Sequence, residues 1–278
     1  MAALLQDVAF LPPVELDSRK AGIEVHCVMH SRDIQHAIWG LASFFYFAGN
    51  VFSLVVHADN EWTPEQLALF GGHFRGVKII PRAESDVLMS DVLKEFPACH
   101  RYRRSGAYGR KLFDPYLLRS LPCLILLDSD VLFFRKPNEL LDIVSADADT
   151  LLYNLEIGEG YASKPALMAA FPKLHTQFNA GLIATRPPEN WPGLFEELIP
   201  TLEHLRSTAG LRPGSDQLPL ACVAHWQGWR PLHSSYSSNP ERFRKNRTDF
   251  TSMHFHSWAR EGFTIDGIPW FLTTINAA

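Results

Sequence analysis

The sequence predicts an α/β fold in which a mostly parallel sheet is flanked by helices within one domain. Three observations point to it. Short apolar runs of strand length alternate with stretches of helical apolar spacing through the first half of the chain. The strand runs are apolar almost without interruption, as they are when both faces of a sheet are covered. The 278 residues carry no internal repeat and no low-complexity tract, and their length suits one large α/β unit.

Residues 1–20, mixed and interrupted by Pro12-Pro13, read as an N-terminal leader, and the folded domain is expected over 21–278. Residues 23–29 form the first apolar run. Residues 33–47 follow, with Ile34, Ile38, Leu41, Phe44 and Phe45 at helical spacing. Residues 52–57 are the next strand. Residues 64–70 open a helix behind Thr63, a hydroxyl cap ahead of Pro64 at the first helical position. A third strand at 77–81 and a helical stretch around 112–119 lead into 123–127, the most apolar strand of the chain. The second half is less regular: strands are expected at 150–155, 181–185 and 253–258, and a helix at 194–206. Residues 234–247, with Tyr236, Arg242, Arg244 and Lys245, are polar and turn-rich. They read as a mobile loop of the kind that orders over a ligand. In open parallel sheets ligands collect at the carboxyl ends of the strands, which directs attention to residues 30–33, 57–60 and 128–130.

Composition excludes several function classes. A formal net charge of −4 leaves no global basic footprint, which argues against nucleic acid or acidic membranes as partners. The one basic concentration is Arg101, Arg103, Arg104, Arg110 and Lys111; on charge alone it is a solvated face or a phosphate clamp. Cys27, Cys99, Cys123 and Cys222 stand far apart with no Cys-x-x-Cys spacing, so reduced core thiols are expected rather than disulfides or a zinc site. No apolar run reaches 18 residues and no basic-then-apolar segment opens the chain, so a cytoplasmic location without a transmembrane segment is expected. Asn246-Arg247-Thr248 matches a glycosylation sequon, which carries no weight in that setting.

The strand Leu124-Ile125-Leu126-Leu127 runs straight into Asp128-Ser129-Asp130. Two like charges side by side repel and desolvate poorly, so a buried strand does not end this way for stability. Alternate residues of an extended segment put both carboxylates on one side, where a divalent ion can bridge them. Oxygen donors favour Mg²⁺ or Mn²⁺ over zinc. The bland alternative is an acidic turn that caps the next element.

With those residues in view, Asp128-Ser129-Asp130-Val131-Leu132-Phe133 resembles the Asp-x-Asp motif of GT-A fold glycosyltransferases. The closest likeness is to the retaining glycogenin-like and lipooligosaccharide galactosyltransferase-like group, because further segments follow in that group's order. Phe178-Asn179-Ala180-Gly181 resembles the segment that lines the sugar pocket; taken alone it also reads as a strand start with a glycine bulge. Ser215-Asp216-Gln217 resembles the step that sets a polar side chain beneath the anomeric carbon; taken alone it also reads as a helix cap. Met253-His254-Phe255-His256 resembles the late His motif that completes the metal site. Tyr108-Gly109-Arg110-Lys111 resembles the helix segment whose basic residue meets donor phosphate or sugar, and His30-Ser31-Arg32 lies where these enzymes meet the nucleotide.

The likeness runs from about residue 23 to 265. It implies a nucleotide-binding part over about 21–135 and an acceptor-side part over about 136–278. It also implies metal ligation by Asp128, Asp130 and His254, with His256 as the alternative to His254. Donor contacts would come from His30, Arg32, Arg110, Lys111, Asp128, Ser129, Asn179, Ala180, Gly181 and Arg260. Asp216 and Gln217 would face the reacting carbon. Trp258-Ala259-Arg260 stands where the group commonly has a Lys-Pro-Trp-like segment, so either Arg260 substitutes for the lysine or the diphosphate is held differently. The residues after Gln217 also differ from the group, which leaves retention of configuration open; in an inverting enzyme Asp216 would be the base.

The implied activity moves a hexose from a nucleoside-diphosphate sugar, a UDP-sugar foremost, to a hydroxyl of a carbohydrate, lipid-linked or protein acceptor, with Mn²⁺ or Mg²⁺ as cofactor. Two rivals share parts of the pattern. Phosphatases of the haloacid dehalogenase type also place Asp-x-Asp after a strand, but usually the first strand, with a hydroxyl residue following. A non-catalytic nucleotide-sugar-binding module on the same scaffold would be marked by loss of an acid or of the late His, and all three are present.

Overall fold

The structure, a computed structural model, describes residues 5, 7–17, 22–147, 149–157, 161, 164–209 and 216–276. Ten strands carry the argument: β1 (Ile23–Met29), β2 (Ser53–Ala58), β3 (Lys78–Ile80), β4 (Cys123–Leu127), β5 (Val131–Phe133), β6 (Leu151–Leu155), β7 (Phe178–Thr185), β8 (Arg230–Pro231), β9 (Tyr236–Ser237) and β10 (Ser252–His254). Seven of them make the central sheet in the spatial order β8-β6-β7-β4-β1-β2-β3. Every neighbouring pair is parallel except the two made by β7. The other three form a small sheet, β9-β10-β5, with β10 antiparallel to β5.

The near-continuous apolar strands have a direct cause. In β4, Cys123, Ile125 and Leu127 enter one core layer while Leu124 and Leu126 enter the other, because successive side chains leave a strand on opposite faces. Each fully buried Leu or Ile contributes roughly 1.5–3 kcal/mol, so the central strand is anchored from both sides. The first layer is covered by the helices Ile34–Ala48 and Ile268–Asn276, the second by Pro97–Arg104, Ala107–Leu117, Leu198–Ala209 and Gln217–Ala224. Thr63 caps the helix Pro64–His73 in a reciprocal pair with Gln66: each backbone N–H donates to the other's side chain, at 2.9 and 3.3 Å.

Several expectations change. The segment 234–247 is packed rather than mobile: it supplies β9 and the helix Pro240–Lys245, capped by Asn239 at 2.9 Å from Arg242 N. Phe243 is fully buried, its ring 5.1, 5.5 and 5.6 Å from those of Phe134, Phe250 and Phe255. Its basic residues serve the fold, since Arg244 and Arg247 both hold Asp266, at 2.7 and 2.9 Å. The strand expected over 253–258 ends at His254, because a 3₁₀ turn follows and Ser257 adopts φ 51°. Part of the expected leader belongs to the domain: Val8 and Leu11 are buried, and Val14–Glu15 pairs with Phe74–Arg75. All four cysteines are buried and free. Among the described residues no helix is long and apolar enough to cross a membrane.

On the second face of the sheet lies a buried polar chain. His26 Nδ1 is 2.9 Å from His57 Nε2, and His26 Nε2 is 3.3 Å from Glu24 Oε2, which also accepts from Ser120 N at 2.7 Å. Burial drives the His57 imidazole well below its ordinary value, helped by the neighbouring His26 and Lys78 charges. The folded chain therefore keeps His57 neutral at a pH where the unfolded chain takes up a proton, and stability falls as pH drops below 6.5. We predict a melting temperature that declines between pH 6.5 and about 5, with a flatter decline in His57→Gln; equal slopes in a pH-resolved thermal melt would exclude this cluster as the cause.

Candidate active site at the carboxyl edge of the sheet

β4 ends at Leu127, and the turn that follows presents Asp128 and Asp130 at the ligand-binding edge. The antiparallel β10 pairs with β5 so that His254 lies opposite Val131, which returns the late histidine to the acidic turn. Ligand atoms of Asp128, Asp130 and His254 lie within 4.8 Å of one another. His254 Nε2 stands 3.1 Å from Asp130 Oδ1 and 3.7 Å from Asp128 Oδ2.

The other ring nitrogen decides what that contact means. His254 Nδ1 is 3.0 Å from Asn179 Oδ1, which also accepts from Gly181 N at 3.0 Å, while Asn179 Nδ2 donates to Glu156 at 3.0 Å. With both ends of the amide assigned, Nδ1 carries the imidazole proton and Nε2 presents a lone pair to a carboxylate. Two acceptors 3.1 Å apart need a proton or a cation between them. The donor set, two carboxylates and one imidazole, fits a divalent ion.

Gly181 belongs to this geometry. A Cβ there would come within 2.0 Å of the His254 ring. The β6–β7 register slips beside Tyr153 and Asn154, in the stretch that contains Asn179, Ala180 and Gly181. The glycine bulge and the site motif are thus one feature. Asp128 N donates to Gly181 O at 2.8 Å, which ties the acidic turn to the bulge.

Lys111 comes from the opposite side, on the helix Ala107–Leu117. Gly109 lets that helix press against its predecessor: a Cβ there would lie 2.2 Å from Tyr102 O. Lys111 Nζ stands 2.7 Å from Asp128 Oδ1 and 3.0 Å from Asp216 Oδ2. Burial works against its charge, yet the two carboxylates outweigh it and raise the ammonium above its ordinary value. Asp216 moves the other way from a free carboxylate. Burial and Asp128 raise it, and Lys111 only partly offsets them. Asp216 occupies the cap position of the helix Gln217–Ala224 but makes no capping bond; its carboxylate goes to Lys111 instead. Ser215 lies outside the described residues.

The remaining expected residues divide. Gln217 Oε1 accepts from Ala180 N at 3.4 Å, so both sit at the bulge. Arg260 pairs with Asp33 at the end of the first loop. His30 Nδ1 accepts from Arg32 N at 3.2 Å, and Arg32 is exposed beside Asp33. Ser129 is half-buried in the acidic turn. His256 lies outside the three-ligand cluster: its Nε2 faces Glu156 at 3.3 Å. Although burial opposes both charges, the pair raises the His256 imidazole and holds Glu156 down at about 2. Within the basic run 101–111 the carboxylate partners are separate. Arg101 pairs with Glu203, Arg103 with Asp114 and Asp86, and Arg110 with Asp59.

Sequence comparison finds no protein-family model and no curated protein that matches the chain. Solved structures do match. Mouse xyloside xylosyltransferase 1 superposes with a TM-score of 0.58 at 14% identity, over 87% of this chain and 97% of that one. The galactosyltransferase LgtC, solved with donor and acceptor sugar analogues, gives 0.56 at 16%, over 87% and 94%. The bifunctional glycosyltransferase WbbM gives 0.58 at 15%, over 92% of this chain but 52% of its own. The chain has the GT-A fold.

In this GT-A chain Glu156 escaped the sequence reading, since it sits in no recognisable motif, whereas Asp59 falls within the strand-end residues 57–60. Glu156 closes the chain Glu156–Asn179–His254–Asp130, and only its position at the end of β6 hinted at a role. Gly181→Ala is expected to push the His254 ring aside and weaken Mn²⁺ binding about 10- to 100-fold. An Mn²⁺ titration read by electron paramagnetic resonance tests this, and unchanged affinity would refute it. Lys111→Met leaves the buried Asp216 and the half-buried Asp128 without their cation and is expected to destabilise the apo-protein by about 3 kcal/mol in urea unfolding.

Proposed function

We propose that the chain transfers a hexose from a nucleoside-diphosphate sugar, a UDP-sugar foremost, to an acceptor hydroxyl, with a divalent metal and retention of configuration. The observation that carries the proposal is the continuous polar path Asp216–Lys111–Asp128–His254–Asp130 at the ligand edge of a GT-A sheet. The mix of two carboxylates with one imidazole favours Mn²⁺ over Mg²⁺, which prefers oxygen donors and water. The matched structures of glycosyltransferases, LgtC with its donor and acceptor analogues among them, support sugar transfer as the reaction class.

In this reading Asp128, Asp130 and His254 hold the ion, which when bound neutralises the diphosphate. The bond between the anomeric carbon and the diphosphate oxygen breaks with its electron pair on that oxygen, and the acceptor oxygen forms the new bond while its proton passes to the departing diphosphate. Lys111, kept protonated by its two carboxylates, stabilises the negative charge that grows on the leaving group. Asp216 and Gln217 stabilise the positive charge that grows on the sugar. Asn179 and Glu156 fix the orientation of His254. Arg260, in the place of the family's lysine, approaches the diphosphate with its guanidinium braced by Asp33. His30 and Arg32 border the nucleotide.

A panel of nucleotide sugars with Mn²⁺, followed by release of nucleoside diphosphate, tests the proposal. Turnover with one donor is expected, and Asp130→Asn should lower metal-dependent donor binding at least about tenfold while leaving the circular dichroism unchanged. Cleavage of a phosphomonoester without turnover of any nucleotide sugar would identify a phosphatase. Donor binding without release would identify a binding module.

A further inference from the structure

A cavity of about 330 Å³ is lined only by polar and charged residues, with Arg82, Asp86, His100, Arg103, Arg104 and Arg110 on its walls. A cavity of equal volume beneath Phe45, Tyr46 and Phe271 is walled mainly by carbon. In a chain with a net charge of −4, four guanidiniums border this space; Asp114 and Asp59 pair with Arg103 and Arg110 from behind, and Asp86 is the one lining carboxylate, so a positive excess remains.

Two of the four are held rigid from behind. Arg103, 1% exposed, donates to Asp114 at 2.7 and 2.9 Å, to Ser85 at 2.9 Å and to Asp86 at 2.7 Å. Arg110, 7% exposed, gives Nε and Nη2 to Asp59, which leaves Nη1 without a protein partner among the described residues. The other two are exposed: Arg82 has only a 3.7 Å pairing with Asp86, and Arg104 has no acidic partner among the described residues. Arg110 Nη1 at the back, with Arg103 spent on its own partners, and the exposed guanidiniums of Arg82 and Arg104 at the mouth suit a tetrahedral anion, whose oxygens accept from several directions at once. A carboxylate would satisfy one fork and strand the rest.

We propose that this cavity binds a phosphate group carried by the acceptor. The volume exceeds what phosphate alone fills, and the cavity shares a helix with the transfer site, since Arg110 precedes Lys111. Binding of the phosphate is independent of the transferase reading; its assignment to the acceptor rests on that reading.

The test is calorimetry on full-length Asp130→Asn without divalent metal, so that the metal site contributes nothing. Inorganic phosphate, a hexose phosphate and the neutral hexose are titrated in turn at low ionic strength. The hexose phosphate is expected to bind more tightly than inorganic phosphate, and the neutral hexose not at all. Adding Arg82→Ala and Arg104→Ala, both at exposed positions, should weaken the hexose phosphate at least about tenfold without changing the thermal melt. Absence of binding by either phosphate, or binding that survives the double substitution, would overturn the site. Inorganic phosphate as tight as the hexose phosphate would overturn the acceptor assignment. If the chain releases no nucleoside diphosphate, the phosphate site still stands or falls by these titrations, and only its assignment to an acceptor is lost.

Discussion

A buried ammonium, Lys111 Nζ, sits 2.7 Å from Asp128 and 3.0 Å from Asp216, and without it the buried Asp216 and the half-buried Asp128 would face each other with no cation between them. Its position demands a close helix crossing, which Gly109 permits, and a strand that delivers Asp128 to the sheet edge. Asp216 in turn gives up its capping role to reach it. A buried cation with two partners contributes little net stability, because desolvation consumes most of the attraction. What it does secure is register: helix, acidic turn and the start of Gln217–Ala224 can meet in only one arrangement.

The metal-ligand cluster has a comparable support on its other side. Glu156 and Asn179 set the proton on His254 Nδ1, and the bulge in β7 clears room for the ring. The single reversed strand makes this possible. Because β7 runs against its neighbours, the residues that begin it lie at the same edge as the residues that end β4. Side chains from before a strand and after a strand therefore converge on one ligand. An all-parallel sheet could not arrange that with the same loops.

The sheet was legible in the sequence because parallel strands buried on both faces leave long apolar runs, and β1 and β4 are such runs. Asp128, Asp130 and His254 were legible through the chemistry they imply at a strand end. The helices Arg82–Val92 and Pro97–Arg104 were not, since one is largely exposed and the other carries four basic residues with a short apolar face. Residues 234–247 misled for a related reason. Their polar surface hides one deep anchor, Phe243, and a single aromatic gives no period to detect. Glu156 illustrates the remaining limit: a lone carboxylate acquires its meaning from Asn179 and His256, which are distant in sequence.

The reversed strand and the late histidine also bear on how the chain folds. The groups at the ligand edge are drawn from residue 111 to residue 254, so the cluster closes only after long loops have been ordered. His254 arrives with β10, whose antiparallel partner β5 must already be seated. An intermediate with the central sheet formed but β10 undocked would hold two acids and no imidazole, and its grip on a divalent ion would be correspondingly weak. An ion held by Asp128, Asp130 and His254, as proposed, would therefore favour the finished chain and act as a late clasp on the C-terminal segment rather than as a nucleus for the sheet.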